Sequence, residues 1–282
     1  MNLIVDSGAT KSIWCVSNGT WHREITLPGI NFAHADPQRV GEVVYEAIRS
    51  VREIQKQHDG SAIDAVYVYG AGIVSQASAL PLHLCLERML PGVQKNYASD
   101  LLGAARAVCG HEPGIAAILG TGANTCQWDG EKVVAHVDCG GYILGDEGSA
   151  AVLGKLFLAD FLKNLVPEDL AGAFKEQFPA DYPTIVKNVY QGDEPARYLG
   201  NFAPFLISQY DKSDYVHNLM DRHFQAFFER TLLKYDRLPV GIVGGFGNAC
   251  QHILAPIAER YGVEITKYYP TPLGGLISYH AV

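Results

Sequence analysis

The sequence predicts an α/β fold made of two related halves. A short apolar strand at 3–5 leads into a polar, glycine-containing turn at 6–11, a second strand, a hairpin signal and a third strand. The order of strand, glycine-rich turn, strand, Xaa-Gly hairpin and strand returns between 115 and 137. Apolar residues at helical spacing follow both copies. This doubled pattern of strands and helices indicates two α/β halves in one chain.

The first half alternates strand and helix patterns. Runs rich in β-branched and aromatic residues predict its strands, at 3–5, 12–17, 20–27, 65–69 and 93–97. Apolar residues at helical spacing predict its helices, from Asp36-Pro37 to about residue 58, at 80–90 and from Ser99-Asp100 onward. Asn18-Gly19, between the second and third strands, is typical of a two-residue hairpin turn.

The second half begins with the same elements and then becomes mostly helical. Its strands are predicted at 115–119, 125–128, 132–137, 240–243 and 263–267, with a hairpin turn at Asp129-Gly130. The stretch at 149–235 is predicted to be mostly helical. A further helix is expected after the glycine-rich segment at 244–248, and Thr271-Pro272 opens a short terminal helix.

Length and composition limit the class of protein. The chain has 282 residues, of which 48% are hydrophobic and 18% charged, so it can form one or two domains with a large buried core. This composition excludes disordered, collagen-like and coiled-coil proteins. The formal net charge is −8 and no basic run occurs, which argues against nucleic acid as a partner.

The cysteines and the first residues indicate the compartment. Six cysteines are scattered without a Cys-x-x-Cys pair, mostly inside apolar stretches, where a thiol acts as a small hydrophobic group. Reduced cysteines are typical of the cytosol. The chain starts without a basic leader, and no apolar run approaches the ~18 residues that span a bilayer. We therefore expect a cytoplasmic protein with no membrane partner.

Three glycine-rich turns follow predicted strands, and each exposes backbone N–H groups that an anion can approach closely. They are Gly8 with Thr10, Gly120-Thr121-Gly122, and Gly244-Gly245-x-Gly247 before a predicted helix. Taken singly, each segment is explained by an ordinary β-turn or by packing glycines about as well as by an anion-binding turn. None matches the Walker pattern or the Gly-x-Gly-x-x-Gly fingerprint with its acidic partner, so the sequence does not favour a P-loop or Rossmann fold.

Several charged residues lie beside these turns. Asp6 ends a predicted buried strand, where its carboxylate could hold Mg²⁺ through water or cap an Asx turn. Lys11 either reaches phosphate oxygens or is an exposed turn lysine. Asp100 opens a helix and by position alone is an N-cap. Residues 138–149 are the densest cluster of glycine and acid, in which Asp146, Glu147 and Ser149 could cap the next helix; Cys139 there has no second ligand at metal-binding spacing.

The complete pattern resembles a known superfamily. Asp6-x-Gly8-x-Thr10-Lys11, Gly120-Thr121-Gly122 and Gly244-Gly245-x-Gly247 are similar to the phosphate-1, phosphate-2 and adenosine motifs of the actin-like, sugar-kinase and heat-shock ATPases. Gly140-Gly141-Tyr142 with Gly145-Asp146-Glu147-Gly148-Ser149 resembles the Gly-Gly-Trp…Gly-Asp-Glu-Gly-Ser segment of N-acetylglucosamine kinases. The resemblance covers most of the chain and implies two ribonuclease-H-like domains flanking a nucleotide cleft. The implied domains are 1–110, with the C-terminal helix at 271–282 packing back on it, and 111–270, with a helical insertion at about 150–235.

The resemblance also implies roles for individual residues. ATP and Mg²⁺ are the implied cofactors, with Asp6 organising Mg²⁺ through water. The residues implied to hold the ATP phosphates and adenosine are Gly8, Thr10, Lys11, Thr121, Gly122, Asn124, Gly244, Gly245 and Asn248. The residues implied to contact the sugar are Asn31, Gly72, Asp100 and Asp146. Gly70-Ala71-Gly72 departs from the family in lacking the expected serine.

Asp100 corresponds to the catalytic aspartate of the family and is implied to act as the general base. The implied reaction is ATP-dependent phosphorylation of a hydroxyl group of an amino sugar such as N-acetylglucosamine. Phosphoryl transfer depends on positioning and charge neutralisation, so backbone donors, Mg²⁺ and one carboxylate suffice. Closure of two domains on the sugar would exclude water, which predicts a hinge. The family also implies a homodimer.

Two other functions fit parts of the pattern. ATPases that activate 2-hydroxyacyl-CoA dehydratases resemble the chain in the phosphate motifs, but they carry a cysteine before the second glycine turn, where this chain has Ala116-Ala117-Ile118-Leu119. A non-catalytic, sugar-sensing ATP-binding protein is the other alternative. Related repressors add a helix-turn-helix before the first strand, which we do not expect here because that strand begins at Leu3.

Overall fold

The computed structural model describes residues 1–8, 11–30, 32, 36–58, 60–179 and 181–281. The chain divides into two compact units. Met1–Gly110 and Pro272–Val282 form the first, and His111–Thr271 forms the second. Thr10 and Asn31, both expected in the functional site, lie outside the described residues. None of the helices in the described ranges combines the length and apolar character that a bilayer crossing requires.

The first unit is built on a five-stranded sheet. Its strands are β1 (Asn2–Ser7), β2 (Lys11–Ser17), β3 (His22–Pro28), β4 (Ala65–Gly70) and β5 (Gln94–Ser99). Its helices are α1 (Pro37–Gln57), α2 (Gln76–Met89) and α3 (Asp100–Cys109). The strand order is β3-β2-β1-β4-β5, in which β1 runs antiparallel to β2 and parallel to β4.

Helix α1 shows why these segments fold as the sequence predicts. Asp36 precedes it, and its Oδ1 accepts a hydrogen bond of 3.3 Å from the backbone N–H of Gln38. Pro37 occupies the first helical position, where its missing N–H costs nothing. Val40 and Val44 lie on the buried face, in the apolar core that the helix shares with the sheet.

The second unit also contains a five-stranded sheet, together with more helices. Its strands are β6 (Gly114–Leu119), β7 (Ala123–Trp128), β8 (Val133–His136), β9 (Val240–Val243) and β10 (Ile265–Tyr269). Its helices are α4 (Gly141–Leu144), α5 (Ala150–Phe161), α6 (Glu168–Gln177), α7 (Tyr182–Tyr190), α8 (Pro195–Gly200), α9 (Ala203–Gln209), α10 (Asp214–Arg230), α11 (Gly245–Ala249) and α12 (Gln251–Tyr261), with a 3₁₀ turn at Leu232–Lys234. The last helix, α13 (Leu273–Tyr279), packs on α3 of the first unit.

The two sheets share one topology. The second has the order β10-β9-β6-β7-β8, so β6, β7 and β8 correspond to β1, β2 and β3, while β9 and β10 correspond to β4 and β5. As in the first unit, β6 runs antiparallel to β7 and parallel to β9. This confirms the doubled α/β fold that the repeated strand and turn pattern predicts.

Both hairpins differ in detail from two-residue turns. Ser17 pairs with His22, so the first loop holds residues 18–21, and Asn18 Oδ1 accepts hydrogen bonds from the backbone N–H groups of Thr20 and Trp21. In the second hairpin, Asp129 Oδ1 accepts from the N–H groups of residues 131 and 132. The prediction of a two-residue turn at Asn18-Gly19 is therefore wrong, because a side-chain acceptor closes a longer loop there. The hairpin turn predicted at Asp129-Gly130 is confirmed.

The extra helices of the second unit pack around an aromatic core. Phe157 of α5 and Phe174 of α6 meet edge to face, with ring centroids 4.9 Å apart, and Phe174 also contacts Phe202 at 5.2 Å. All three side chains are buried. Each buried phenylalanine contributes about 1.5–3 kcal/mol to stability. This core holds α5, whose first turn lies against the functional residues described below.

Candidate functional site

The carboxyl ends of three parallel strands meet at one edge of the first sheet. Asp6 of β1 is in register with Tyr69 of β4, and Tyr69 with Ala98 of β5. Asp100 follows β5 directly, as the first residue of α3. In open α/β sheets, ligands bind beyond the carboxyl ends of the strands. The fold therefore brings Asp6 and Asp100 to the edge where a ligand is expected.

The two carboxylates lie close enough to affect each other. Burial, and then the negative charge of Asp100, raise the pKa of Asp6 to about 7, while the charge of Lys11 acts in the opposite direction. Burial also raises the pKa of Asp100, against hydrogen bonds that include one of 2.9 Å from the backbone N–H of Leu101. Charge repulsion and partial dehydration thus both favour a cation beside this pair.

This donor set fits Mg²⁺ better than a metal held by protein ligands alone. No cluster of three or more His, Cys, Asp or Glu side chains suited to a metal occurs among the residues that the structure describes. Mg²⁺ commonly binds one or two carboxylates and takes its other ligands from water and substrate phosphates. Asp6 could supply such a carboxylate, and a bound divalent cation would favour the ionised form of both aspartates.

The structure also tests the simpler explanations of these residues. Asp6 lies within β1 and pairs with Ile13 of β2, so it does not sit in the turn that follows. Ser99, not Asp100, is the N-cap of α3: its Oγ accepts a hydrogen bond of 3.2 Å from the backbone N–H of Leu102. The interpretation of Asp100 as the N-cap is therefore wrong, because Ser99 fills that position.

Ser7 is a structural residue of this edge that the sequence analysis missed. Its buried hydroxyl donates to the backbone oxygen of Ile30 and accepts from the N–H of Ile30, both at 3.2 Å. The backbone N–H of Ala71 donates to Ser7 O at 2.8 Å, and that of Phe32 to Ala71 O at 2.9 Å. The end of β1 thus connects Ile30 and Phe32 to the loop that carries Gly72, which has a φ of 80°. A polar residue at a buried strand end is the signal that could have indicated this role.

The glycines of the turns fall into two groups. Gly72 and Gly244 have φ values of 80° and 123°, which favour glycine on backbone grounds. A Cβ on Gly8 would only make ordinary contact, and one on Gly120 or Gly245 would meet no atom within 4 Å. Packing therefore does not require glycine at these three positions, which leaves them open to close approach by a ligand.

In the second unit, the turn after β6 rests on the first turn of α5. The backbone N–H groups of Ala150 and Ala151 donate to the carbonyl oxygens of Gly120 and Thr121, at 2.9 and 3.1 Å. The side chain of Thr121 remains exposed. Gly122 lies close to Asp146, another residue expected in the site: a Cβ on Gly122 would lie 3.0 Å from Asp146 Oδ2.

Asp146 is a buried carboxylate on a strained backbone. Its φ is 55°, and its N–H donates to the carbonyl oxygen of Cys139 at 2.7 Å. Burial raises its pKa to about 6, although hydrogen bonds from the backbone N–H groups of Ala123 and Gly141 act in the opposite direction. Asp146 is thus not the N-cap of α5, a position that Ser149 fills. The backbone N–H groups of Ala123 and Gly141 therefore hold the Asp146 carboxylate in a fixed position, where it can accept further hydrogen bonds.

Asn124 lies beside Asp146, and both line a narrow cavity of about 20 Å³, room for about one water molecule or hydroxyl group. Asn124 Oδ1 accepts hydrogen bonds from the backbone N–H of Thr125 and from His136 Nε2, each 2.9 Å long. Nδ1 of His136 lies 3.5 Å from a carboxylate oxygen of Asp138. The sequence analysis gave His136 no role, but it orients the Asn124 amide.

The third glycine segment lies directly against the second. A Cβ on Gly244 would collide with the backbone oxygen of Leu119, and its N–H donates to Tyr269 O at 2.8 Å. Helix α11 begins at Gly245, so the prediction that the glycines precede the helix is wrong. Gly247 belongs to α11, where a Cβ would lie 2.6 Å from the side chain of Ile242. Asn248 is in the same short helix and donates its N–H to Gly244 O at 2.9 Å.

Solved structures of similar fold identify the family. A proposed N-acetylglucosamine kinase from Porphyromonas gingivalis is 38% identical to this chain, with a TM-score of 0.91 over 100% of this chain and 99% of that one. This chain belongs to the N-acetylglucosamine-kinase-like family. The family implied by the Gly-Asp-Glu-Gly-Ser segment is thereby confirmed, and with it the superfamily of sugar kinases and actin-like ATPases.

Two more distant structures agree in fold. A proposed N-acetylglucosamine kinase from Chromobacterium violaceum is 19% identical, with a TM-score of 0.74 over 99% of this chain and 98% of that one. A hexokinase of the ROK family from Thermus thermophilus is 17% identical, with a TM-score of 0.50 over 98% and 96%. No family model matches the chain, and no curated protein sequence matches it either.

Within this sugar-kinase-like fold, each unit gathers its own share of the expected residues. The first unit brings Asp6, Asp100 and Lys11 near one another at the end of β1. The second brings Gly122, Asn124 and Asp146 together, and places Gly244 against the turn after β6.

Proposed function

We propose that the protein is an ATP- and Mg²⁺-dependent kinase that phosphorylates a hydroxyl group of an amino sugar such as N-acetylglucosamine. The observation that carries the proposal is the setting of Asp100: a partly buried carboxylate of raised pKa, at the carboxyl edge of the sheet and beside a second aspartate, in a chain of the N-acetylglucosamine-kinase-like family. A raised pKa makes a carboxylate a better proton acceptor near neutral pH.

In the proposed reaction Asp100 acts as the general base. Its carboxylate accepts the proton of the sugar hydroxyl as the hydroxyl oxygen forms a bond to the γ-phosphorus of ATP. The bond between the γ-phosphorus and the bridging oxygen breaks, and ADP leaves with that oxygen. Most of the rate enhancement in such reactions comes from positioning and charge neutralisation.

Other residues would bind the phosphates and the metal. When bound, Mg²⁺ supplies positive charge at the transferring phosphate. Asp6 would hold it through water, and Lys11 and the N–H groups near Gly8 would face phosphate oxygens. In the second unit, the proposed nucleotide residues are Thr121, Gly122, Asn124, Gly244, Gly245 and Asn248, and Thr10 completes the set for the first unit.

We assign sugar binding to Asp146 first, together with Asn31, Gly72 and Asp100. A sugar presents several hydroxyl groups in fixed directions, and a buried carboxylate accepts hydrogen bonds from them strongly. Because the pKa of Asp146 is about 6, its carboxylate is mostly ionised at neutral pH and available as an acceptor. The proposal further includes a cytoplasmic location. It also includes a homodimer, and analytical ultracentrifugation of the purified protein would test this oligomeric state.

The test is a coupled assay of ADP release with Mg-ATP and a panel of hexoses and amino sugars. We expect an amino sugar to stimulate turnover well above the rate with ATP alone. ATP binding without stimulation by any sugar would contradict the proposal. Iron in the purified protein would then favour the dehydratase-activator alternative, and sugar binding without turnover would favour a sensor.

A further inference from the structure

The segment that carries Asp146 needs support from outside itself. Asp146 and Gly148 both adopt left-handed conformations, with φ values of 55° and 85°. A non-glycine residue holds such a conformation only where its surroundings determine it. Two local hydrogen bonds supply part of the support: the N–H of Asp146 donates to Cys139 O at 2.7 Å, and the N–H of Ser149 donates to Asp146 O at 3.0 Å.

One face of helix α10 supplies further contacts. His223, Phe227 and Arg230 are separated by four and three positions, which places them on the same side of the helix. They contact three consecutive residues of the segment: Arg230 meets Glu147, Phe227 meets Gly148, and His223 meets Ser149.

Each contact differs in kind. Arg230 Nη1 lies 2.7 Å from Glu147 Oε1, and the Glu147 side chain is only 16% exposed. The ring of Phe227 fills the space beside Gly148, where a Cβ would lie 2.8 Å from its Cγ. His223 is almost fully buried, and hydrogen bonding with the backbone of Ser149 partly offsets the burial that lowers the pKa of the imidazole to about 4. The imidazole is therefore neutral at physiological pH.

We propose that His223, Phe227 and Arg230 are positioning residues, and that this face of α10 holds the Asp146 carboxylate in place for the sugar. The role of Asp146 toward sugar rests on the proposed function, but the support of the segment by α10 does not. Loss of this support should weaken sugar binding more than ATP binding, because none of the three residues belongs to the proposed phosphate-binding set, although the segment they hold lies beside Gly122 and Asn124.

The same helix offers matched controls on its other side. Phe228 is as fully buried as Phe227, but it stacks on Tyr261, with ring centroids 5.5 Å apart. Asp221 of α10 forms an ion pair of 3.0 Å with Arg260. The exposed fractions of these two side chains are 18% for Asp221 and 51% for Arg260. They are close to those of the other pair, 16% for Glu147 and 67% for Arg230. These contacts anchor α10 without touching the Asp146 segment.

The experiment compares Phe227→Leu with Phe228→Leu, and Arg230→Gln with Arg260→Gln. For each full-length variant, kcat and KM are measured for sugar and for ATP. Hydrogen exchange of peptides covering residues 139–149 is measured as well. We expect Phe227→Leu and Arg230→Gln to raise the sugar KM about tenfold and about threefold, because small misplacement of a binding group is costly. Their kcat and ATP KM should stay within about twofold of the unmodified protein.

Hydrogen exchange provides a readout that needs no activity. Exchange of residues 139–149 should accelerate in Phe227→Leu and Arg230→Gln and stay unchanged in the two controls. Arg230→Lys, which retains the charge, should restore part of the protection. Equal sugar KM and equal exchange in Phe227→Leu and Phe228→Leu would overturn the inference. If the unmodified protein neither binds nor phosphorylates a sugar, the proposed function fails, and the exchange data still decide whether α10 supports the segment.

Discussion

Replacing Gly122 with alanine should weaken sugar binding without unfolding the protein. The added Cβ would lie 3.0 Å from Asp146 Oδ2, closer than a methyl group and an oxygen normally approach. The carboxylate must then move by a few tenths of an ångström. Such a shift pulls it away from the backbone N–H groups of Ala123 and Gly141, which hold it in place.

The size of the effect follows from the cost of restoring the carboxylate against the methyl group. Overpacking by one methylene typically costs about 1–3 kcal/mol. Since 1.4 kcal/mol corresponds to tenfold in affinity, sugar affinity should fall roughly 5- to 140-fold. Gly120→Ala is the matched control, because it adds the same methyl group to the same turn and meets no atom within 4 Å.

Isothermal titration with sugar in the absence of nucleotide measures this affinity directly, and steady-state kinetics give the sugar KM. We expect Gly120→Ala to bind sugar as the unmodified protein does, and Gly122→Ala to bind it at least fivefold more weakly. Equal affinities for the two variants would refute the contact between residue 122 and Asp146 as a determinant of sugar binding.

Three further predictions concern charge and packing. The raised pKa of Asp146 means that its carboxylate is ionised above about pH 6 and protonated below, so sugar affinity should fall as the pH drops through about 6, and Asp146→Asn should reduce this dependence. Gly148→Ala should destabilise the protein by about 1–3 kcal/mol more than Gly19→Ala in urea unfolding, because both have φ near 85–88° but only the first meets a phenylalanine ring. Phe174→Ala should cost about 3–5 kcal/mol in the same measurement, because it removes a fully buried ring from the aromatic core.

Each of these has a clear contrary result. Sugar affinity that is constant between pH 5 and 8 would show that Asp146 does not titrate in this way. Equal stability of the two glycine variants would mean that the segment around residue 148 relaxes without cost. A Phe174 variant with nearly unchanged stability would show that the surrounding helices collapse into the vacated space.

The doubled fold could be predicted because it depends on local patterns. Alternating apolar residues and turn glycines occur in the same order in both halves, and the strands they predict pair in the same order in both sheets. The sequence also predicted that Asp6 ends a strand and that Asp100 opens a helix after one, but the resemblance to the family, and not position alone, indicated that the two act together.

The errors arose where a side chain overrides a local preference. Asn18 accepts backbone hydrogen bonds from Thr20 and Trp21 and so lengthens the first hairpin loop beyond two residues. Gly247 sits inside α11 because the backbone must approach Leu119 and Ile242 closely, a demand that comes from tertiary packing. A glycine signal identifies a need for space, but it does not say whether ligand or protein occupies that space.

The sequence could not predict the residues that hold the candidate site in place, because their contacts join distant parts of the chain. Ser7 joins segments more than twenty residues away, and Arg230 meets Glu147 across more than eighty residues. Such contacts depend on how helices pack, and no local period reports them. The role of His136 rests on two partners, Asn124 and Asp138, that are close to it in sequence, but no motif in the sequence indicates this pairing.

The most direct test of the account is the kinetics of Asp100→Asn beside Asp214→Asn. Both aspartates are the first residue of a helix capped by a serine, so both substitutions remove the same charge from the same kind of position. If Asp100 is the general base, its substitution should lower kcat about 100- to 10,000-fold while sugar and ATP still bind, and Asp214→Asn should stay near the unmodified rate. Turnover by Asp100→Asn close to that of Asp214→Asn would contradict the central claim.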